Sequence, residues 1–130
     1  MDALDLGEIF DFTVPLVREA GRLVAAKLRQ SKSIEVKTHA TDLVTETDRA
    51  VEDLLCSALK ARYPTHLFIG EEGVAAAGGR CVPLTDEPTW ICDPVDGTMN
   101  FIHDFPFFAV ALALVVEKRP VVAFCYNPAL

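Results

Sequence analysis

Several ingredients are scarce or missing in these 130 residues, and each absence narrows the field. The start, Met1-Asp2-Ala3-Leu4-Asp5, is acidic where a secretory signal needs a basic segment, so no export signal is expected. The longest apolar run, Phe105 to Val116, is too short to span a bilayer and contains Pro106, so no membrane segment is expected. Four cysteines (Cys56, Cys81, Cys92, Cys125) include no Cys-x-x-Cys pair. Reduced, mostly buried thiols in a cytoplasmic or organelle-stroma protein follow, and cytoplasmic is the expectation carried forward. The three histidines show no ligand spacing. Positive charge is in short supply, 12 basic residues against 19 acidic, for a net charge of −7. That field repels a nucleic-acid backbone or an anionic membrane unless a cation intervenes, so neither is expected as a partner. No internal repeat and no low-complexity linker interrupts the chain.

What is abundant is apolar side chain, 51% of the residues, enough for the core of a single domain. Leu6, Ile9, Phe10, Val14, Val17, Ala20, Gly21, Val24 and Leu28 recur at helical spacing and predict a long amphipathic helix. Pro15 leaves two versions open. Either it interrupts one long helix, or Thr13 caps a second helix with Pro15 in its first turn. Ser33 to Lys37 reads as a short strand. A second helix is predicted from Glu46 to Arg62, with Val51, Leu54, Leu55, Ala58 and Leu59 facing inward and Pro64 beyond its end.

The later part alternates strands and turns. His66 to Gly70 is a short strand stopping at Glu71, and Val74 to Pro83, with Gly78-Gly79, reads as a surface loop. Trp90-Ile91-Cys92 is a strand that delivers Asp93 into a Pro/Gly turn. Phe107 to Val116 reads as a strand covered on both faces. Lys118-Arg119-Pro120 is expected to make the turn into Val121–Tyr126, which pairs back as a hairpin. The class is α+β, two N-terminal helices packed on a largely antiparallel sheet. Because the chain stops at Leu130, just after that hairpin, an uncovered sheet edge is expected.

Two acidic groups follow short strands: Glu71 with Glu72, and Asp93 with Asp96. Strand ends are where loops gather and ligands bind. Pro94 restricts the backbone and Gly97 frees it. The N–H groups beyond can cradle an anion if a helix starts near Thr98. Carboxylates beside an anion cradle repel phosphate unless divalent cations sit between them, and hard oxygen ligands suit magnesium. Taken singly, Asp-Pro, Asp-Gly and Glu-Glu-Gly are ordinary turn sequences. Taken together, in this order and behind matching strands, they point to a metal site.

The run Trp90-x-x-Asp93-Pro94-Val95-Asp96-Gly97-Thr98-x-Asn100-Phe101 resembles the signature of the inositol monophosphatase family. Asp42-Leu43-Val44-Thr45-Glu46-Thr47-Asp48 resembles that family's first acidic motif, and Phe68-Ile69-Gly70-Glu71-Glu72 its second. Lys37 falls where the family commonly has a lysine. The resemblance implies that residues 1–130 are the N-terminal, metal-binding part of a layered αβαβα phosphatase domain, truncated before the C-terminal half. It implies a magnesium-dependent hydrolase of a small polyol or sugar monophosphate, homodimeric in its full-length form.

Residue by residue, the resemblance implies that Glu71, Asp93 and the carbonyl of Val95 hold a first Mg2+. Asp93 bridges to a second, which Asp96 also binds. Asp48 and Thr98 orient the attacking water. The phosphate lies among Glu71, Val95, Asp96, Gly97 and Thr98, with the N–H groups of Gly97 and Thr98 on its oxygens. Thr45-x-x-Asp48 also has the form of a helix capping box, a structural alternative for Asp48. Glu72 and His103 are expected to play no part in the chemistry, and Cys92 reads as a buried structural thiol. Met99 stands where the family often shows a polar residue. The family's second half, which supplies another aspartate for the second metal and most substrate contacts, has no counterpart in these residues. A non-catalytic dimerisation or regulatory role is therefore the rival expectation. A bisphosphatase or nucleotide phosphatase of the same lithium-sensitive superfamily is a third.

Overall fold

A computed structural model describes residues 4–33, 40–70, 84–96 and 109–128, and describes side chains at 4–27, 46–70, 84–94 and 109–128. Helix α1 runs Leu6–Ser33. Asp5 caps it: its Oδ1 accepts from the Glu8 amide at 3.0 Å, and its carbonyl accepts from Ile9. That cap satisfies amides the first turn leaves without partners. Pro15 lies inside this single helix, so the two-helix version is excluded. Thr13 caps nothing; it is fully buried, and its hydroxyl donates to the Ile9 carbonyl one turn back at 2.7 Å. The helix also includes Ser33, which removes the start of the expected strand, and residues 34–37 lie outside the described residues.

Helix α2 spans Ala40–Arg62, six residues more at its start than the sequence suggests. Lys60 and Arg62 in its last turn face the negative end of the helix dipole. The helices pack antiparallel. Glu8 at the start of α1 pairs with Arg62 and accepts from the Tyr63 hydroxyl at 2.8 Å, while Lys27 meets Glu46 at 3.3 Å at the other end. Burial and the Glu8 contact push the Tyr63 phenol up to about 12, so it stays a donor.

Four strands follow: β1 Leu67–Ile69, β2 Thr89–Asp96, β3 Ala109–Val116 and β4 Arg119–Tyr126. They form one sheet in the order β1-β2-β3-β4, with β1 parallel to β2 and the other pairs antiparallel. The helices lie on one face of it. Trp90, Cys92, Val110, Leu112 and Leu114 point into that layer and meet Ile9, Val17, Ala20, Val24, Val51, Leu55 and Leu59. Gly21 admits the Tyr126 ring of β4, whose carbons occupy the space a β-carbon would need. Trp90 anchors the centre: its indole N–H donates to His66 Nδ1 at 3.1 Å, and both residues are buried.

Three sequence expectations are corrected here. β3 is not covered on both faces; buried and half-buried residues alternate along it, so only one face is packed by the helices. The hairpin turn is Glu117–Lys118, both at positive φ (50° and 64°), and Arg119 and Pro120 already belong to β4. Asp93-Pro94-Val95-Asp96 is not a turn but the last half of β2. The sheet accommodates it with a bulge: Asp93 pairs Ala111 and Asp96 pairs Ala109, so the register shifts between them. Pro94 belongs in such an irregularity, because a bulge spares it the ladder hydrogen bond it cannot donate. The expected loop at 74–83 lies outside the described residues.

Candidate metal and phosphate site

β1 and β2 pair in parallel, so the two strands run in the same direction. β1 ends at Ile69, which pairs Ile91, and the buried Gly70 follows. β2 continues beyond that level through Cys92 and Asp93. Along β2 the side chains alternate, with Cys92 and Pro94 buried and Asp93 exposed. Helix α2 packs against both strands.

Its inward face changes character along its length. Val51, Leu55 and Leu59 are apolar and fully buried, whereas the preceding turns present Thr47, Asp48 and Glu52. Asp48 is half-buried, its Oδ1 shut off from solvent. Because α2 begins at Ala40, Asp48 lies in the helix interior, far past the first turn. The capping-box alternative is thereby removed, since a capping box needs Thr45 at the helix boundary.

Cys92 records the local charge. Its thiol is pushed up to about 12, first by burial and then by the negative charges of Glu52, Asp93, Asp48 and Cys56. The expectation of an inert buried thiol therefore holds. Asp48 on α2 and Asp93 on β2, both singled out in the sequence, act electrostatically on this thiol, and so does Glu52, which the sequence reading did not single out. Glu52 is 7% exposed, a rare burial for a carboxylate. Its signal in the sequence was the i, i+4 spacing to Asp48, which puts both on one helix face.

The backbone of Val95 and Asp96 lies in β2 just past the bulge. Glu71, Glu72, Gly97, Thr98, Met99, His103 and Lys37 lie outside the described residues, as do the side chains of Val95 and Asp96. Among the described residues, no three His, Cys, Asp or Glu side chains are grouped closely enough to hold a metal. The described carboxylates of this region are those of Asp48, Glu52 and Asp93, and hard oxygen donors of that kind are the type magnesium takes. A cavity of about 500 Å³ runs along β1, lined by Lys60, His66, Phe68, Ile69 and Thr89 among others; it contains no carboxylate and is a separate feature. Burial lowers the pKa of His66. Its Nδ1 already accepts from Trp90, which makes it a packing residue.

Comparison with known proteins follows the same lines. The family model described as "Inositol monophosphatase family" matches residues 5–130. Inositol monophosphatase 2 of Solanum lycopersicum is 50% identical over 121 residues, 93% of this chain and 45% of that protein. Inositol monophosphatase 1 of Sus scrofa is 51% identical over 111 residues, 85% of this chain and 39% of that protein. The crystal structure of inositol monophosphatase-II from Staphylococcus aureus superposes with a TM-score of 0.76 at 30% identity, covering 93% of this chain and 42% of that one. The chain thus spans less than half the length of these relatives. Among the described residues, no helix is long and apolar enough to cross a membrane.

Proposed function

Because the chain belongs to the inositol monophosphatase family, we propose that residues 1–130 form the metal-binding N-terminal part of a magnesium-dependent phosphomonoesterase. Its substrate is a small polyol or sugar monophosphate, inositol monophosphate being the one the relatives' names suggest. The observation that carries this reading is the family match over residues 5–130; Asp48 on α2 and Asp93 on β2, which both act on the Cys92 thiol, support it, with Asp96 three residues further along β2.

In this proposal Glu71, Asp93 and the Val95 carbonyl hold one Mg2+, and Asp93 and Asp96 share a second. When bound, magnesium polarises the phosphoryl oxygens and lowers the pKa of coordinated water, so no histidine base is needed. Asp48 and Thr98 orient the attacking water, Asp48 from a rigid helix interior rather than a fraying end. The amides of Gly97 and Thr98 bind the phosphate oxygens, and Glu71, Val95 and Asp96 complete its surroundings. Placement on a helix and a bulged strand favours this chemistry, because rigid elements hold reacting groups in register. The full-length form is proposed as a homodimer. The relatives' greater length keeps a second reading in play, in which these residues alone form a non-catalytic piece.

The test is thermal. Ligands that bind only the folded state raise the melting temperature. MgCl2 titrated into the chain is expected to raise it progressively, and Asp93→Asn is expected to abolish the rise. A flat titration, or an identical one in the variant, refutes the metal site.

A further inference from the structure

We infer that Glu52 is a positioning residue of the proposed magnesium site: its buried carboxylate, seated on Gly70, fixes where β1 releases the chain toward Glu71. The inference rests on the metal-site reading above and adds to it a residue that holds no metal itself.

Three observations carry it. First, Glu52 is 7% exposed, and its carboxylate fills the space over Gly70 that a side chain there would occupy; Oε1, Cδ and Cγ all crowd the position of an added β-carbon, Cγ at 3.0 Å. Gly70 has no left-handed φ, so what a side chain there would meet is this contact and not an unusual backbone shape. Second, Gly70 is the residue immediately before Glu71, in the segment where β1 ends. Third, Glu52 sits one helical turn after Asp48 and its charge acts on Cys92, the neighbour of Asp93. One side chain on α2 therefore touches the residue after β1 and acts electrostatically on the middle of β2. Groups that orient metal ligands characteristically do their work from one shell out.

The experiment is calorimetric titration of the 130-residue chain with MgCl2 alone, at a temperature where circular dichroism shows each variant folded. Glu52→Ala and Gly70→Ala are each expected to weaken Mg2+ binding about tenfold or more, the usual effect of losing an outer support of a metal ligand. Glu52→Gln keeps the length and one accepting oxygen, and is expected to stay within about threefold of the native affinity. The double variant Glu52→Ala/Gly70→Ala removes the collision, so it is expected to fold better than Gly70→Ala while still binding Mg2+ weakly. A purely structural role predicts the opposite pattern: lower melting temperatures, but native Mg2+ affinity in every folded variant, the double variant included. That pattern, with binding still lost in Asp93→Asn, overturns the role of Glu52 and leaves the metal site standing. Absence of Mg2+ binding in the native chain overturns both.

Discussion

At the scale of single residues, motifs were easier to read than burial. Asp48 and Asp93 stood out because their residue type and motif spacing carry a signal, and the structure puts them on α2 and β2. Glu52 did not, because a search for apolar periodicity passes over a charged residue at a buried position. Trp90 was legible as the head of a motif, but its partner was not: nothing in His66-x-x lends itself to a forecast of an indole N–H donating to Nδ1 from 24 positions away. That pair gives a pH prediction. Burial depresses the folded-state pKa of His66 below 6.5, and Nδ1 must stay unprotonated to accept from Trp90. The unfolded chain therefore binds more protons as pH falls below 6.5. The stability His66 contributes is fully present above that value and drains away as pH drops through the lower folded-state pKa. Tyr63, stacked on the imidazole at 4.9 Å, does not titrate in this window. The melting temperature of the native chain should thus fall more steeply below pH 6.5 than that of His66→Gln, which accepts the indole N–H without titrating. Parallel pH profiles for the two proteins would contradict this.

At the scale of elements, the order of helices and strands was legible and their boundaries were not. Thr45 and Asp48 look like a helix start, because Thr and Asp compete with the helical backbone and favour its ends. Packing against the sheet overrides that preference, and α2 begins at Ala40. Likewise Asp93-Pro94-Val95-Asp96 has turn composition, and only the neighbouring β3 shows it to be a bulged strand. The hairpin turn escaped for a related reason. Two-residue turns of this kind favour Asn-Gly, because both central positions need φ above zero. Here Glu117 and Lys118 occupy them at 50° and 64°. A left-handed conformation costs a residue with a β-carbon about 1–2 kcal/mol. Lys118→Gly should therefore stabilise the chain by about 1 kcal/mol, offset in part by greater freedom in the unfolded state. Urea unfolding is expected to show a higher midpoint with an unchanged slope. A lower midpoint would mean that the Lys118 side chain contributes more than its backbone strain removes.

At the scale of the whole molecule, the sheet is asymmetric. Its helix-facing side is packed, whereas Leu67, Ile91 and Val121 on strands β1, β2 and β4 remain 45%, 40% and 38% exposed. Between them lie small residues, Ala113 opposite Ala123 and Ala111 opposite Cys125. Antiparallel sheets with one wet face usually carry polar side chains there, so apolar exposure on this scale marks a surface that water does not suit. The relatives to which this chain is similar are more than twice its span, since it covers 45% and 39% of the two compared. Binding and turnover should then separate. In the proposed assignment the ligands for the first Mg2+ all fall within the 130 residues, and the resemblance places one aspartate of the second metal outside them. Catalysis depends on charge stabilisation in a site closed to water, which half of a ligand set beside an open sheet face does not provide. The isolated chain is therefore expected to gain melting temperature with MgCl2 yet release phosphate from inositol 1-phosphate no faster than a protein-free control. Magnesium-dependent release that disappears in Asp93→Asn would overturn this separation. It would mean that the acidic cluster of α2 and β2 catalyses without its missing ligand.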